Sequence, residues 1–274
     1  MEKTETTALE LQRPDTVSAL ERGVAVLRCF SEDRRTLTAS ELSRLTGVPR
    51  PTVSRLASTL LTLGLLRLES KTEAYQLGPG VLTLARVFLA GLDVRAAARP
   101  HMQALAEATG GSVYLAVRDG LEMVLIEACR PRSTMLAPRL DVGSRAPIAN
   151  SALGRAYLWA LPPQERRGLI ESLRLARGSD WNALESGLNR SLDEADRLGY
   201  CISAGEFHRE INSVSVPLLG PTGDLMALNC GTAAFMFSED HMRAVVAPQL
   251  LKMKQALAVD LGWRESCTCH VRPT

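Results

Sequence analysis

The segment from Pro49 to about Leu63 concentrates short hydroxyl side chains around Arg55. Wound as a helix, it puts Val53, Leu56, Leu60 and Leu63 on one side, as a core stripe, and Pro51, Arg55, Ser58 and Thr62 on the other, flanked by Thr52, Ser54 and Thr59. Hydroxyls bond phosphates or base edges, and an arginine fork matches guanine, a contact worth about 1–3 kcal/mol of discrimination. Arg50, Thr52, Ser54, Arg55, Ser58 and Thr59 are therefore candidate contacts to duplex DNA; the plain alternative is an ordinary solvated helix face. A second group of residues is small and polar and stands beside strand-like runs: Asn150-Ser151-Ala152, Ser203 to Glu206, Asn212-Ser213 and Asn229-Cys230-Gly231. Each could merely cap a helix or end a strand. Together they could line a cavity in which hydroxyls and amides hold a carboxylate or carbonyl oxygen against an apolar wall.

Enzyme chemistry has little support. No nucleophile elbow, paired-histidine zinc motif, dinucleotide fingerprint or phosphate-binding glycine loop occurs, and no cofactor is implied. His101, His208, His241 and His270 are scattered, as surface or capping histidines are. Cys267, Cys269 and His270 crowd one end and could touch a metal, yet their spacing is not that of a zinc knuckle. The six cysteines lie scattered in a chain whose first residues carry no signal peptide, which points to reduced thiols and a cytoplasmic protein with no membrane partner.

The elements that must position the hydroxyl-rich segment are legible around it. Leu20, Val24, Leu27 and Phe30 recur at helical spacing from Val17 onward, with charged residues between them. Thr38 followed by Glu41 is a capping-box pattern, Leu42 and Leu45 give a short second helix, and Gly47 stops it before Pro49-Arg50-Pro51 opens the third. After Gly64, Leu65 to Leu68 and Ala74 to Leu77 read as a β-hairpin, a wing carrying Arg67 and Lys71 toward phosphates. The net charge is only +2, but between Arg34 and Lys71 seven cationic side chains face just Glu41 and Glu69, so the basic footprint is local.

At 274 residues and 46% hydrophobic, the chain has room for a second, larger core. Residues 15–79 are read as the DNA-binding domain, 80–98 as a connecting helix suited to pairing with a second copy, and 99–264 as a mixed α/β domain with an antiparallel-rich sheet. In that last domain a helix is expected from His101 to Thr109. Strands are expected at Ser112–Val117, Met123–Glu127, Ser213–Leu218 and Leu225–Cys230, and helices at Ala152–Ala160, Pro163–Leu175, Trp181–Leu198 and Glu239 to about Leu261.

Several stretches in order, among them ALERGVAVLRCF, TASELSRLTGVPRPTVSRLASTLLTLGLL, LDVGSRAPIANSALGRAYLWAL and LGYCISAGEFHREINSVSVPL, resemble the IclR family of bacterial regulators from about Val17 to Leu261. The resemblance implies an α+β chain: an N-terminal winged helix-turn-helix, a linker helix and a C-terminal GAF-like α/β effector-binding domain. It implies homodimers, often paired into tetramers, that repress or activate genes of carbon or aromatic-acid catabolism. It places the effector against Ala152 and Leu153 and the strand positions Ser203, Ser213, Asn229 and Gly231, with apolar walls from Met135, Pro138 and Ala146. Ser203 and Ser213 stand where an acidic residue and a cysteine occur in some members, and Ala152 where a glycine does. The expectation is a non-enzymatic regulator whose binding to operator DNA responds to a small organic or aromatic acid. Its rivals are an enzyme merely localised by the N-terminal module and a DNA binder without an effector.

Overall fold

The computed structural model describes residues 16–132 and 140–263, in two compact units that divide between Gly91 and Leu92.

The first unit is built on three helices, α1 (Ser18–Leu27), α2 (Ala39–Thr46) and α3 (Arg50–Thr62). The capping box forms as its residues require: the Thr38 amide donates to Glu41 Oε2 at 2.7 Å and the Glu41 amide to Thr38 Oγ1 at 3.3 Å. Gly47 takes the left-handed conformation at φ 69° that ends α2, and the Ser43 hydroxyl donates to the Val48 carbonyl at 2.6 Å, fixing the turn into α3. Val26, Leu42, Val53, Ala57 and Leu60 close the small core between them.

Leu63 departs from its expected place in that core, at 62% exposure. The buried face of α3 runs Val53, Ala57, Leu60, so its next position is Gly64, where the chain turns away at φ 68°. The wing follows as β1 (Leu66–Leu68) antiparallel to β2 (Tyr75–Leu77), and Leu37 exchanges backbone hydrogen bonds with Tyr75 at its other edge. Gly78 closes the wing: a Cβ there would sit 2.3 Å from the Gly64 carbonyl oxygen, so no other residue allows that approach. Helix α4 (Gly80–Ala90) then completes the unit and buries none of its residues.

The second unit begins with α5 (Val94–Thr109), longer than expected because the helix runs through Pro100. Pro100 and Ala96 both lie on the exposed side, where the carbonyl left without an amide partner can be hydrated. Residues 92–98, read from the sequence as part of the connector, thus start a helix that buries Val94 and Ala98 in this unit. A six-stranded antiparallel sheet follows in the order β5-β4-β3-β8-β7-β6. Its strands are β3 (Ser112–Asp119), β4 (Glu122–Cys129), β5 (Arg145–Pro147), β6 (Cys201–Ala204), β7 (Ile211–Leu219) and β8 (Leu225–Ala233).

Helices α6 (Ala152–Ala160), α7 (Pro163–Arg177) and α8 (Trp181–Leu198) join the sheet in one core, with Ala156, Leu158, Leu173, Trp181 and Leu188 inside. Against α5 packs the final helix, α9 (Glu239–His241) continued through a π-turn at Met242–Val246 into α10 (Ala247–Asp260). The π-turn ends just before Pro248, whose missing amide would break a regular ladder.

Candidate functional site

Two surfaces, one on each unit, gather the residues singled out from the sequence. On α3, Arg50, Ser54, Arg55, Ser58 and Thr59 are exposed and Thr52 is half-buried, while Val53, Ala57 and Leu60 anchor the opposite face. The hydroxyls are not equivalent. Thr59 donates to the Arg55 carbonyl at 3.2 Å and Thr62 to the Ser58 carbonyl at 3.1 Å, so both spend their protons on the helix itself. Ser54 and Ser58 make no side-chain hydrogen bond, and Arg50 and Arg55 no ion pair, among the described residues. Arg67 and Lys71 are exposed on the wing. This face has donors without internal acceptors, which is what a surface needs to meet phosphates and base edges.

The second site is a small cleft, partly open to solvent, between the sheet and the start of α6. Ala146, Ala152, Leu153, Ser213, Asn229 and Gly231 line it, as the resemblance implies. Met135 and Pro138 lie outside the described residues, as do Cys267, Cys269 and His270. Ser203 is not on the wall: it is buried and its hydroxyl donates to the Asn150 carbonyl at 2.9 Å, tying β6 to the segment before α6.

Strand register explains the floor. Ser213, Gly231 and Ser112 are consecutive partners across β7, β8 and β3, and Ser215, Asn229 and Tyr114 form the next row on the same face. Asn229 is held rigidly, its amide donating to Ser215 Oγ at 2.7 Å and to the Val214 carbonyl at 3.2 Å. The Ser213 hydroxyl has no such partner among the described residues. Gly231 must be glycine, because a Cβ would lie 2.7 Å from Ser213 Cβ.

At the rim, Ser151 caps α6 by accepting from the Gly154 amide at 3.1 Å, while Gly154 lets the helix touch Ile148, whose Cα a Cβ would approach to 2.2 Å. The amides of Ala152 and Leu153, at the positive end of α6, have no acceptor within the helix. Tyr114, Leu140, Phe207 and Ile211 supply the apolar wall that sequence reasoning missed. Aromatic and aliphatic side chains in strands or loops look like ordinary core, so only the register brings Tyr114 to this floor.

No group of three or more metal-ligating side chains comes together among the described residues. The buried thiols of Cys201 and Cys230 are pushed up to about 12 by desolvation, so both are protonated and inert. No described helix is long and apolar enough to cross a membrane.

Both halves match known domains: residues 19–70 the IclR helix-turn-helix domain, and residues 87–259 the bacterial transcriptional regulator IclR C-terminal domain. The chain belongs to the IclR family of bacterial transcriptional regulators. A relative from Comamonas testosteroni, the HTH-type transcriptional regulator TsaQ1/TsaQ2, is 34% identical over 269 residues, covering 90% of this chain and 96% of its own. The crystal structure of an IclR family transcriptional regulator from Brucella abortus superposes with a TM-score of 0.84 at 37% identity, over 92% of this chain and 95% of that one. An IclR homolog from Microbacterium hydrocarbonoxydans, solved in complex with 4-hydroxybenzoate, shares the fold with a TM-score of 0.70 at 24% identity, covering 89% of this chain and 99% of that one. The chain thus has the N-terminal helix-turn-helix and the C-terminal α/β domain that the sequence led us to expect.

Proposed function

We propose that this IclR regulator binds an operator through α3 and the wing, and that a small organic acid in the cleft modulates that binding and so controls a catabolic operon. The cleft carries this reading: two helix-start amides without intrahelical acceptors and the Ser213 hydroxyl face an apolar wall, an arrangement suited to a carboxylate attached to a hydrocarbon or aromatic body. The Microbacterium homolog with its bound 4-hydroxybenzoate supports an aromatic acid as one class to try. On this reading the protein is a cytoplasmic, non-enzymatic sensor. The acid acts by binding two arrangements of the DNA-reading modules with different affinity, a coupling of roughly 1–3 kcal/mol.

The operator is read by a homodimer. Helix α4 buries none of its residues, and Leu82, Leu84, Val87 and Phe88 are each more than half exposed, as are Val17 and Leu20 at α1. Burying such side chains against a second copy is worth roughly 1.5–3 kcal/mol apiece, and two helix-turn-helix modules supply the paired half-sites that one cannot grip tightly. A thermal-shift screen of small aliphatic and aromatic monocarboxylates against the purified protein tests the cleft. A saturable rise in Tm with one acid class, reduced on Ser213→Ala, is expected. No shift with any class, or an equal shift in the variant, refutes the cleft as the effector site.

A further inference from the structure

Arg155 is the only charged residue in the otherwise apolar run of α6, and it is fully buried, at 1% exposure. Its guanidinium spends its donors on three separate segments. Nε donates to the Ala149 carbonyl at 3.1 Å, Nη1 to the Ile202 carbonyl at 3.1 Å and to Glu206 Oε1 at 2.8 Å, and Nη2 to Glu206 Oε2, making a two-pronged ion pair. Glu206 belongs to the loop between β6 and β7. The same loop carries Phe207, a wall of the cleft, and leads directly into Ile211, another. Asn150 fastens it from the other side by donating to the Glu206 carbonyl at 3.0 Å.

From α8, Gly187 borders the arrangement: a Cβ there would stand 2.7 Å from Glu206 Oε2 and 3.2 Å from Arg155 Nη2, so a side chain at that point would displace the ion pair. Apart from Phe207, the loop residues Glu206, His208, Arg209 and Glu210 are exposed and offer no apolar anchor of their own.

We infer that Arg155 and Glu206 are positioning residues for the effector cleft: their ion pair, buried on the Arg155 side and bordered by Gly187, holds the β6–β7 loop so that Phe207 forms its wall. The inference rests on the reading of the cleft as the effector site only for its consequence, not for the placement of the loop. A pair that served stability alone would loosen the whole domain when disturbed. One that positions the loop acts locally, because the loop's other ties are few: the Asn150 amide, the packing of Phe207, and backbone hydrogen bonds such as the Gly205 amide to the Ile211 carbonyl at 3.1 Å.

The test uses full-length protein and two variants that reach the pair from different elements, Glu206→Gln and Gly187→Ala. Hydrogen exchange of the amides from 205 to 211 should quicken by about tenfold or more in both, while Val214 to Leu218 in β7 keep parental protection. Affinity for benzoate and 4-hydroxybenzoate, where the parent binds them, should fall by a similar factor, with operator binding in the absence of acid unchanged. Unchanged exchange in the loop, or equal acceleration across the domain, overturns the inference. Local loosening in variants of a parent that binds neither acid would support the positioning role and count instead against an aromatic-acid effector.

Discussion

Replacing Arg55 by alanine isolates the claim that α3 reads sequence. The side chain is exposed, makes no ion pair among the described residues, and projects from a helix whose opposite face is locked by Val53, Ala57 and Leu60. Its loss should therefore leave stability within about 0.5 kcal/mol, so any change in binding is a change in contact. A two-pronged contact to guanine contributes about 1–3 kcal/mol of discrimination, or about 5- to 150-fold in affinity for one half-site. In a dimer both half-sites lose it, and the free energies double to about 2–6 kcal/mol.

The assay is fluorescence anisotropy with the operator and with operators altered at one symmetric base pair at a time, at two salt concentrations. Against Arg55→Ala, one altered operator should bind as well as the original, since the contact it disrupts is already gone, while the other positions keep their penalties. Lys71→Ala on the wing should instead weaken all sequences alike and flatten the salt dependence by about one phosphate per subunit. If Arg55→Ala kept the parental preference at every base pair, that residue would leave the readout, and the orientation of α3 argued above would be wrong.

Ser213→Ala should reduce the effect of the acid on operator affinity several-fold while sparing binding without it, because only the free hydroxyl on the cleft floor is removed; titration of operator complexes with acid measures both. Gly231→Ala should abolish the response more severely, since the new methyl meets Ser213 Cβ at 2.7 Å, and calorimetry with the acid would detect no binding. Changing Leu84 and Phe88 of α4 together to glutamate should yield monomers by light scattering, with operator affinity lost. Glu41 titrates below its usual range because the Thr38 amide and hydroxyl donate to its carboxylate. Its cap on α2 is thus intact above the ordinary carboxylate pKa and is lost as pH falls through the lowered one, and circular dichroism of Glu41→Gln should show a weaker acid dependence of unfolding.

Local signals made much of this molecule readable from residues alone. The Thr38–Glu41 box, Gly47 and the hydroxyl-rich helix each announce themselves within a few positions, and α6 and α8 begin and end where the sequence places them, α6 between Ser151 and the Pro162-Pro163 pair and α8 ahead of Gly199. Leu63 misled because a stripe counted at fixed spacing drifts, and the real one turned toward Gly64. The strands Arg145–Pro147 and Cys201–Ala204 are too short to show alternation and exist because longer neighbours pair with them. The floor of the cleft is a property of register across three strands, which no single segment encodes, so Tyr114 and Ser112 could not be placed beside Asn229 and Gly231 in advance. Arg155 did leave a trace, a lone charge in an apolar helix, and an anionic partner such as Glu206 is what that pattern calls for.

Operator affinity of the full-length protein, measured with and without a saturating cleft-binding acid at physiological salt, tests the central claim most directly. Sequence-specific binding that shifts by about 5- to 150-fold with the acid, in either direction, is the predicted result. Binding no tighter to a promoter fragment than to random DNA, or specific binding indifferent to an acid that occupies the cleft, would contradict it.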